Sequence, residues 1–146
     1  MSRADLGIAL PSSWRRRADP EHGVLVCARA AVVPASGVRP ELVLRCSPVS
    51  EDLTAWRDGA LAELGRRLHD FEVEDADDYD LDGRPVAYRR FAHRVAAADL
   101  VCEQWAWVVD GVGVTLTGTV AREDYPAYCD VFEAVAHTVD PGPRAA

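Results

Sequence analysis

The chain is expected to fold as an α+β domain, an antiparallel sheet of about seven strands with two helices packed on it. Three observations carry this expectation. Residues 102–120 form two alternating runs around Asp110-Gly111, the strongest short-range signal for a two-residue hairpin turn. A second pair, Asp82-Gly83, sits between two further extended runs. Stretches beginning near Ser50 and near Glu123 step their apolar residues at helical spacing. Along the chain the order is three strands, helix, four strands, helix.

The elements follow in turn. Residues 6–10 are a short apolar run closed by Pro11-Ser12-Ser13, with Trp14 after it. Residues 24–33 read as a strand broken by Pro34-Ala35-Ser36-Gly37. Residues 41–47 alternate, placing Leu42, Leu44 and Cys46 opposite Val43 and Arg45. The opening third therefore reads as a three-strand meander. Ser50 is placed to cap the first helix, Glu51 and Asp52 suit its positive first turn, and Arg66 and Arg67 its last. Leu53, Trp56, Ala60, Leu61, Leu64 and Leu68 form its apolar stripe, expected to lie on the greasy side of the sheet. Residues 71–81 and 85–95 make a second hairpin, with a loop expected to exceed two residues. With Asp110-Gly111 as the next turn, Val109 faces Val112, Trp107 faces Val114 and Trp105 faces Leu116. One face then holds Val101, Trp105, Trp107, Val114, Leu116 and Val120, while the other holds Cys102, Gln104, Ala106, Thr115, Thr117 and Thr119. Tyr128, Phe132, Val135 and Val139 give the last helix a single buried face, with Pro126 tolerated in its first turn. Residues 1–140 read as one domain, and 141–146 as a loose tail.

Composition excludes several classes. With 146 residues and a net charge of −8, the chain lacks the basic surface that phosphate backbones require. All sixteen basic residues are arginine, with no lysine or asparagine, which reads as codon bias of a GC-rich genome. The first eleven residues lack an apolar core long enough for a secretory signal, and no run approaches a membrane span, so the expected compartment is the cytoplasm. Cys27, Cys46, Cys102 and Cys129 are irregularly spaced without CxxC, which points to free, mostly buried thiols instead of a zinc site.

Candidate chemistry is sparse. Residues 72–82 carry seven carboxylates in eleven positions, and Asp78–Gly83 matches the first half of a calcium loop. The twelfth position, which needs a bidentate glutamate, is Arg89, so a solvated edge strand explains the charges better. His22 lies in a turn, and His69 and His137 near helix ends. His93 shares a strand face with Arg89 and Phe91, and is the histidine with which Cys102 or an acid could do nucleophilic or acid–base work. Arg15-Arg16-Arg17 has no apolar segment after it, and alternation between strand faces accounts for it. No metal site and no cofactor site is expected.

This order resembles the PsbP-like superfamily, and within it the DcrB-like bacterial proteins, over residues 6–140. The resemblance rests on Leu10-Pro11-Ser12-Ser13-Trp14, Arg39-Pro40-Glu41-Leu42-Val43-Leu44 and Leu81-Asp82-Gly83-Arg84-Pro85-Val86-Ala87. Leu116-Thr117-Gly118-Thr119 and Phe132 add to it, while Glu41 stands where asparagine often follows the proline. The superfamily implies an antiparallel sheet with packed helices. Its members include photosystem assembly proteins, envelope lipoproteins and cytoplasmic chaperones for membrane-segment-bearing effectors of secretion systems. No lipid-attachment cysteine occurs near the N-terminus.

The resemblance implies a non-enzymatic protein-binding module, an adaptor or chaperone for a secreted or membrane-segment-bearing protein. Its partner surface would be the small polar sheet face, with Gln104, Thr115, Thr117 and Thr119, and Arg89 and His93 within reach. The occupant expected there is an apolar helical segment of a secreted effector. Homodimerisation through sheet edges or exposed faces is a further expectation, and neither nucleic-acid binding nor membrane insertion is expected. The alternatives are a small-ligand-binding or envelope accessory protein, and an enzyme using His93 with a cysteine or carboxylate.

Overall fold

Three consecutive tight turns build the larger part of the sheet. In the computed structural model, which describes residues 6–142, β4 (His69–Leu81), β5 (Arg84–Val95), β6 (Ala98–Val109) and β7 (Val112–Ala121) follow one another as antiparallel neighbours. Both Asp-Gly pairs form two-residue turns in the left-handed region, with Asp82 at φ 58° and Gly83 at 80°, and Asp110 at 50° and Gly111 at 74°. The middle loop is thus as short as the last one, correcting the expected longer connection. Left-handed backbone favours Asp and Gly, which is why these pairs set the register. Val109 pairs Val112, Trp107 pairs Val114 and Trp105 pairs Leu116, as the alternation predicts. The turn between β5 and β6 is less conventional, because Ala96 takes a φ of 53°.

The first three strands are β1 (Arg15–Asp19), β2 (Val24–Arg29) and β3 (Glu41–Pro48). β2 ends at Arg29, short of the expected Val33, and Val32 and Val33 are exposed. Residues 6–10 form no strand beyond a single bridge from Gly7 to Asp140. The meander joins the hairpins through β3 and β7, giving the order β1-β2-β3-β7-β6-β5-β4. The carboxylate-rich strand β4 is an edge, where like charges discourage pairing with another chain.

Both helices follow from the residues beneath them. Helix α2 (Tyr125–Ala136) lies on the greasy face, where Phe132, Val135 and Ala136 pack with Trp105, Trp107, Leu42, Leu44, Val114, Leu116 and Val120. Gly118 makes the contact possible, since a Cβ there would stand 2.6 Å from the Phe132 ring. Leu6, Ile8, Leu10 and Trp14 pack against the same core, and Trp14 meets Tyr128 edge-on at 6.3 Å. Helix α1 (Leu53–Arg67) lies on the opposite, polar face, which corrects the expectation that it shares the greasy one. Its Trp56 sits over Gly113 and its Arg57 donates to Gln104, both on the polar side. The cause is connectivity together with a weak stripe. The helix must cross from β3 to the far edge strand β4, and Arg57 is its one buried side chain. Its cap is Asp52, not Ser50: the Asp52 carboxylate accepts from the Ala55 N–H at 2.8 Å, while Ser50 bonds Glu51. Asp52 wins because a carboxylate also suits the helix dipole.

Pro141 and Gly142 are buried, and Arg84 donates to the Gly142 carbonyl at 2.7 Å. The remainder of the expected tail, residues 143–146, lies outside the described residues. Among the described residues no helix is long and apolar enough to cross a membrane. Of the four free cysteines Cys102 alone is buried, so the expectation of mostly buried thiols holds for one position.

Candidate functional site

Strict alternation on β3, β5, β6 and β7 gathers the six sequence-predicted residues onto one face. Arg89 pairs with Gln104 across β5–β6, Gln104 with Thr117 across β6–β7, and Arg45 of β3 with Thr115. Thr119 is opposite Cys102 and Glu41, and His93 is two residues beyond Phe91, the partner of Cys102. The Gln104 amide donates to Thr117 Oγ1 at 3.0 Å, so the predicted polar row is a hydrogen-bonded unit.

This face has two halves. Over β4, β5 and β6 it carries α1, which roofs Gln104 and buries Arg89 and Thr115. Arg89 is compensated there: its guanidinium meets the Asp78 carboxylate at 2.7 Å, the cation at the twelfth loop position pairing with the acid at the first. Phe71 and Phe91 pack at 5.5 Å beside it. Among the described residues, the same face carries no helix contact of that kind over β1, β2 and β3. Cys27, Val43, Thr117 and Thr119 are half-buried, ringed by the exposed Arg15, Arg17, Arg29 and Arg45. Arg29 is held by Glu41 at 2.9 Å. A net-acidic chain therefore concentrates arginines on one open half-sheet.

His93 and Cys102 do come together, with Nε2 3.7 Å from Sγ. Burial pushes the Cys102 thiol up to about 11, despite Thr119 Oγ1 at 3.5 Å, and burial also pushes the His93 imidazole down. Both groups stay neutral near pH 7, whereas an activated nucleophile needs a thiolate. Their contact reads as packing of a buried thiol. His69 stands directly after Leu68, the cap that ends α1, and begins β4 opposite Arg94.

Two polar groups escaped the sequence reading. Arg57 is 4% exposed and faces the sheet from within the apolar stripe of α1. Burial and the neighbouring Arg89 charge push its guanidinium down to about 10. Glu103 lies on the greasy face at 5% exposure, accepting from the Tyr88 hydroxyl, and burial raises its carboxyl above the ordinary range. Tyr125 and Arg90 are its further neighbours. The Glu103 signal was present, since its parity puts it between Val101 and Trp105. Among the described residues no cluster of His, Cys, Asp and Glu is arranged to hold a metal ion.

No family model matches the chain, and no curated protein sequence matches it. Solved structures do. The LpqN protein involved in cell envelope biogenesis of Mycobacterium tuberculosis superposes with a TM-score of 0.74 at 14% identity, covering 93% of this chain and 83% of that one. The cyanobacterial PsbP (CyanoP) of Synechocystis covers 94% of this chain and 93% of its own, at a TM-score of 0.64 and 15% identity. The chain has the PsbP-like fold. PA94 of Pseudomonas aeruginosa, a protein of unknown function and putative regulator, shares this PsbP-like architecture at a TM-score of 0.72 and 13% identity, covering 95% and 99% of the two chains. At these identities the likeness is one of fold, and function must be argued from the site.

Proposed function

We propose that this PsbP-like chain is a non-enzymatic protein-binding module, an adaptor or chaperone, that receives its partner on the open half of the polar sheet face. The observation that carries the reading is the uncovered Cys27–Val43–Thr117–Thr119 patch with its arginine rim. A shallow centre of small side chains accepts a helix or strand, and guanidinium groups around it favour acidic flanks. The partner is accordingly a protein segment with an apolar stripe and acidic neighbours, such as a segment of a secreted protein. The second reading, an envelope accessory protein, takes its support from the LpqN likeness and from the same open face.

The test is affinity capture from the native cell with the chain and its Thr117→Arg variant, each checked for folding by circular dichroism. A stoichiometric protein retained by the first and lost by the folded variant supports the reading. Identical captured sets, or no captured protein at any salt concentration, overturn it. Gln104→Arg is unsuitable as the probe, because Gln104 already binds Arg57 beneath α1.

A further inference from the structure

A buried charge is ordinarily matched by an opposite one, because removing it from water costs several kcal/mol. This chain buries two arginines side by side, and they are treated differently. Arg89 has the Asp78 carboxylate at 2.7 Å. Arg57, at 4% exposure, has no carboxylate within ion-pair distance among the described residues. Its Nη1 donates to Gln104 Oε1 at 2.6 Å, its plane lies 3.8 Å over the Trp56 ring, and its Nε is buried with no hydrogen-bond partner. One amide bond and one aromatic face leave most of the five guanidinium donors without an acceptor among those contacts.

Arg57 also lines a cavity of about 370 Å³ between α1 and the sheet. Arg45 from β3 and Arg67 from the end of α1 line the same cavity, and neither makes an ion pair among the described residues. Thr115 and Gln104 supply further hydrogen-bonding groups. The acid that reaches this cavity, Glu63, is engaged by Arg66 at 2.6 Å. Trp56, Ala60 and Leu64 give the lining its apolar side, and His22 and Ser47 add polar groups at the sheet. A concave site with an apolar wall, a few convergent polar groups and a volume near 300–1,000 Å³ is the ordinary form of a small-molecule pocket.

We propose that this cavity binds a small organic anion, with its oxyanion group on Arg57 and its short apolar body along Trp56 and Leu64. A carboxylate and a phosphate ester both match the planar guanidinium donors, and Arg45 and Arg67 add the field that draws either one in. Ligand binding supplies the counter-charge that the fold omits at Arg57 and provides at Arg89. The cavity shares Arg45 with the rim of the open half-sheet, but Arg57 and Arg67 belong to α1, so binding of a small anion is measured apart from partner docking.

Isothermal titration calorimetry with three probes decides it: hexanoate, hexyl phosphate and inorganic phosphate, each against the full chain. Hexanoate or hexyl phosphate is expected to bind one to one, at least tenfold more tightly than inorganic phosphate. Which of the two binds better tells carboxylate from phosphate ester. Arg57→Gln is expected to weaken binding at least tenfold, while Arg122→Gln, remote from the cavity, leaves it unchanged. If Arg57→Gln fails to fold, the exposed pair Arg45→Gln and Arg67→Gln is combined, with an expected fivefold or greater loss. Absence of binding by all three probes at millimolar concentration overturns the proposal. Equal affinity for inorganic phosphate and hexyl phosphate overturns the apolar half of it, and unchanged affinity in the folded cavity variants overturns the site.

Discussion

Removing the Phe132 ring tests how α2 is seated on the sheet. Phe132 is fully buried, and its ring rests on Gly118, where a Cβ would stand 2.6 Å from it. Phe132→Ala should cost about 3–5 kcal/mol, the range for deleting a buried aromatic side chain. For a chain of this size that corresponds to a fall in Tm of about 10–15 °C. Gly118→Ala alone should cost about 1–3 kcal/mol, since the new methyl collides with the ring and the core has no slack. In the Phe132→Ala background the same methyl enters vacated space. Gly118 has no positive φ, and alanine is favoured over glycine in a strand by about 0.5–1 kcal/mol, so the substitution should now stabilise. The two changes should therefore couple by about 2–3 kcal/mol, well beyond the additivity expected of independent sites. Urea unfolding of the four proteins, followed by far-ultraviolet circular dichroism with a common m value, measures the cycle. Equal costs for Gly118→Ala in both backgrounds would refute the seating of Phe132 on Gly118.

Further outcomes follow from other parts of the molecule. Glu103, facing Tyr88, Tyr125, Arg90 and Glu133, has its carboxyl raised in the fold. Between the ordinary carboxylate value of 4.5 and that raised value the native state keeps a proton the unfolded chain has lost, so stability falls as pH climbs through the window. Glu103→Gln should flatten that fall in a Tm-versus-pH series, and an unchanged slope would count against it. Cys102, buried with its thiol pushed up to about 11, should resist iodoacetamide at pH 8 while Cys27, Cys46 and Cys129 react. Peptide mapping after alkylation reads this, and early labelling of Cys102 would contradict the packing. Ala96, held at φ 53°, should accept glycine with a net gain of about 0.5–1 kcal/mol, because left-handed backbone costs a side chain about 1–2 kcal/mol. A lower urea midpoint for Ala96→Gly would refute that strain.

The legible parts of this fold are those encoded locally. Asp110-Gly111 and Asp82-Gly83 announce left-handed turns, and alternation around them dictates which residues face one another. The stripe of Tyr128, Phe132 and Val135 likewise needs only its own helix. Assigning α1 to a face is different, because the answer lies in where the crossover from β3 to β4 must run. Leu53, Trp56, Ala60 and Leu64 announce a helix without stating which side of the sheet receives it. Arg57 was hidden for a related reason: on α1 a charged residue beside Trp56 reads as solvated, and burial comes only once Gln104 lies opposite. Glu103 was overlooked although its position in the alternation placed it inward. Among the candidate residues, the shared face of Gln104, Thr115, Thr117, Thr119, Arg89 and His93 was readable from parity. Its division into covered and open halves depends on the helix above it.

The junction of β3 with β7 also governs the order in which the molecule can be assembled. Leu42 and Leu44 find their ladder partners at Gly118 and Leu116, which the ribosome delivers long after them. Until residues 112–121 emerge, the opening meander has no neighbour on its inner side. Closing so long a loop makes the central seam slow relative to the three local hairpins beyond it. A nascent chain halted before β7 would thus hold its apolar meander exposed, and the last hairpin to be synthesised is the one that completes the sheet.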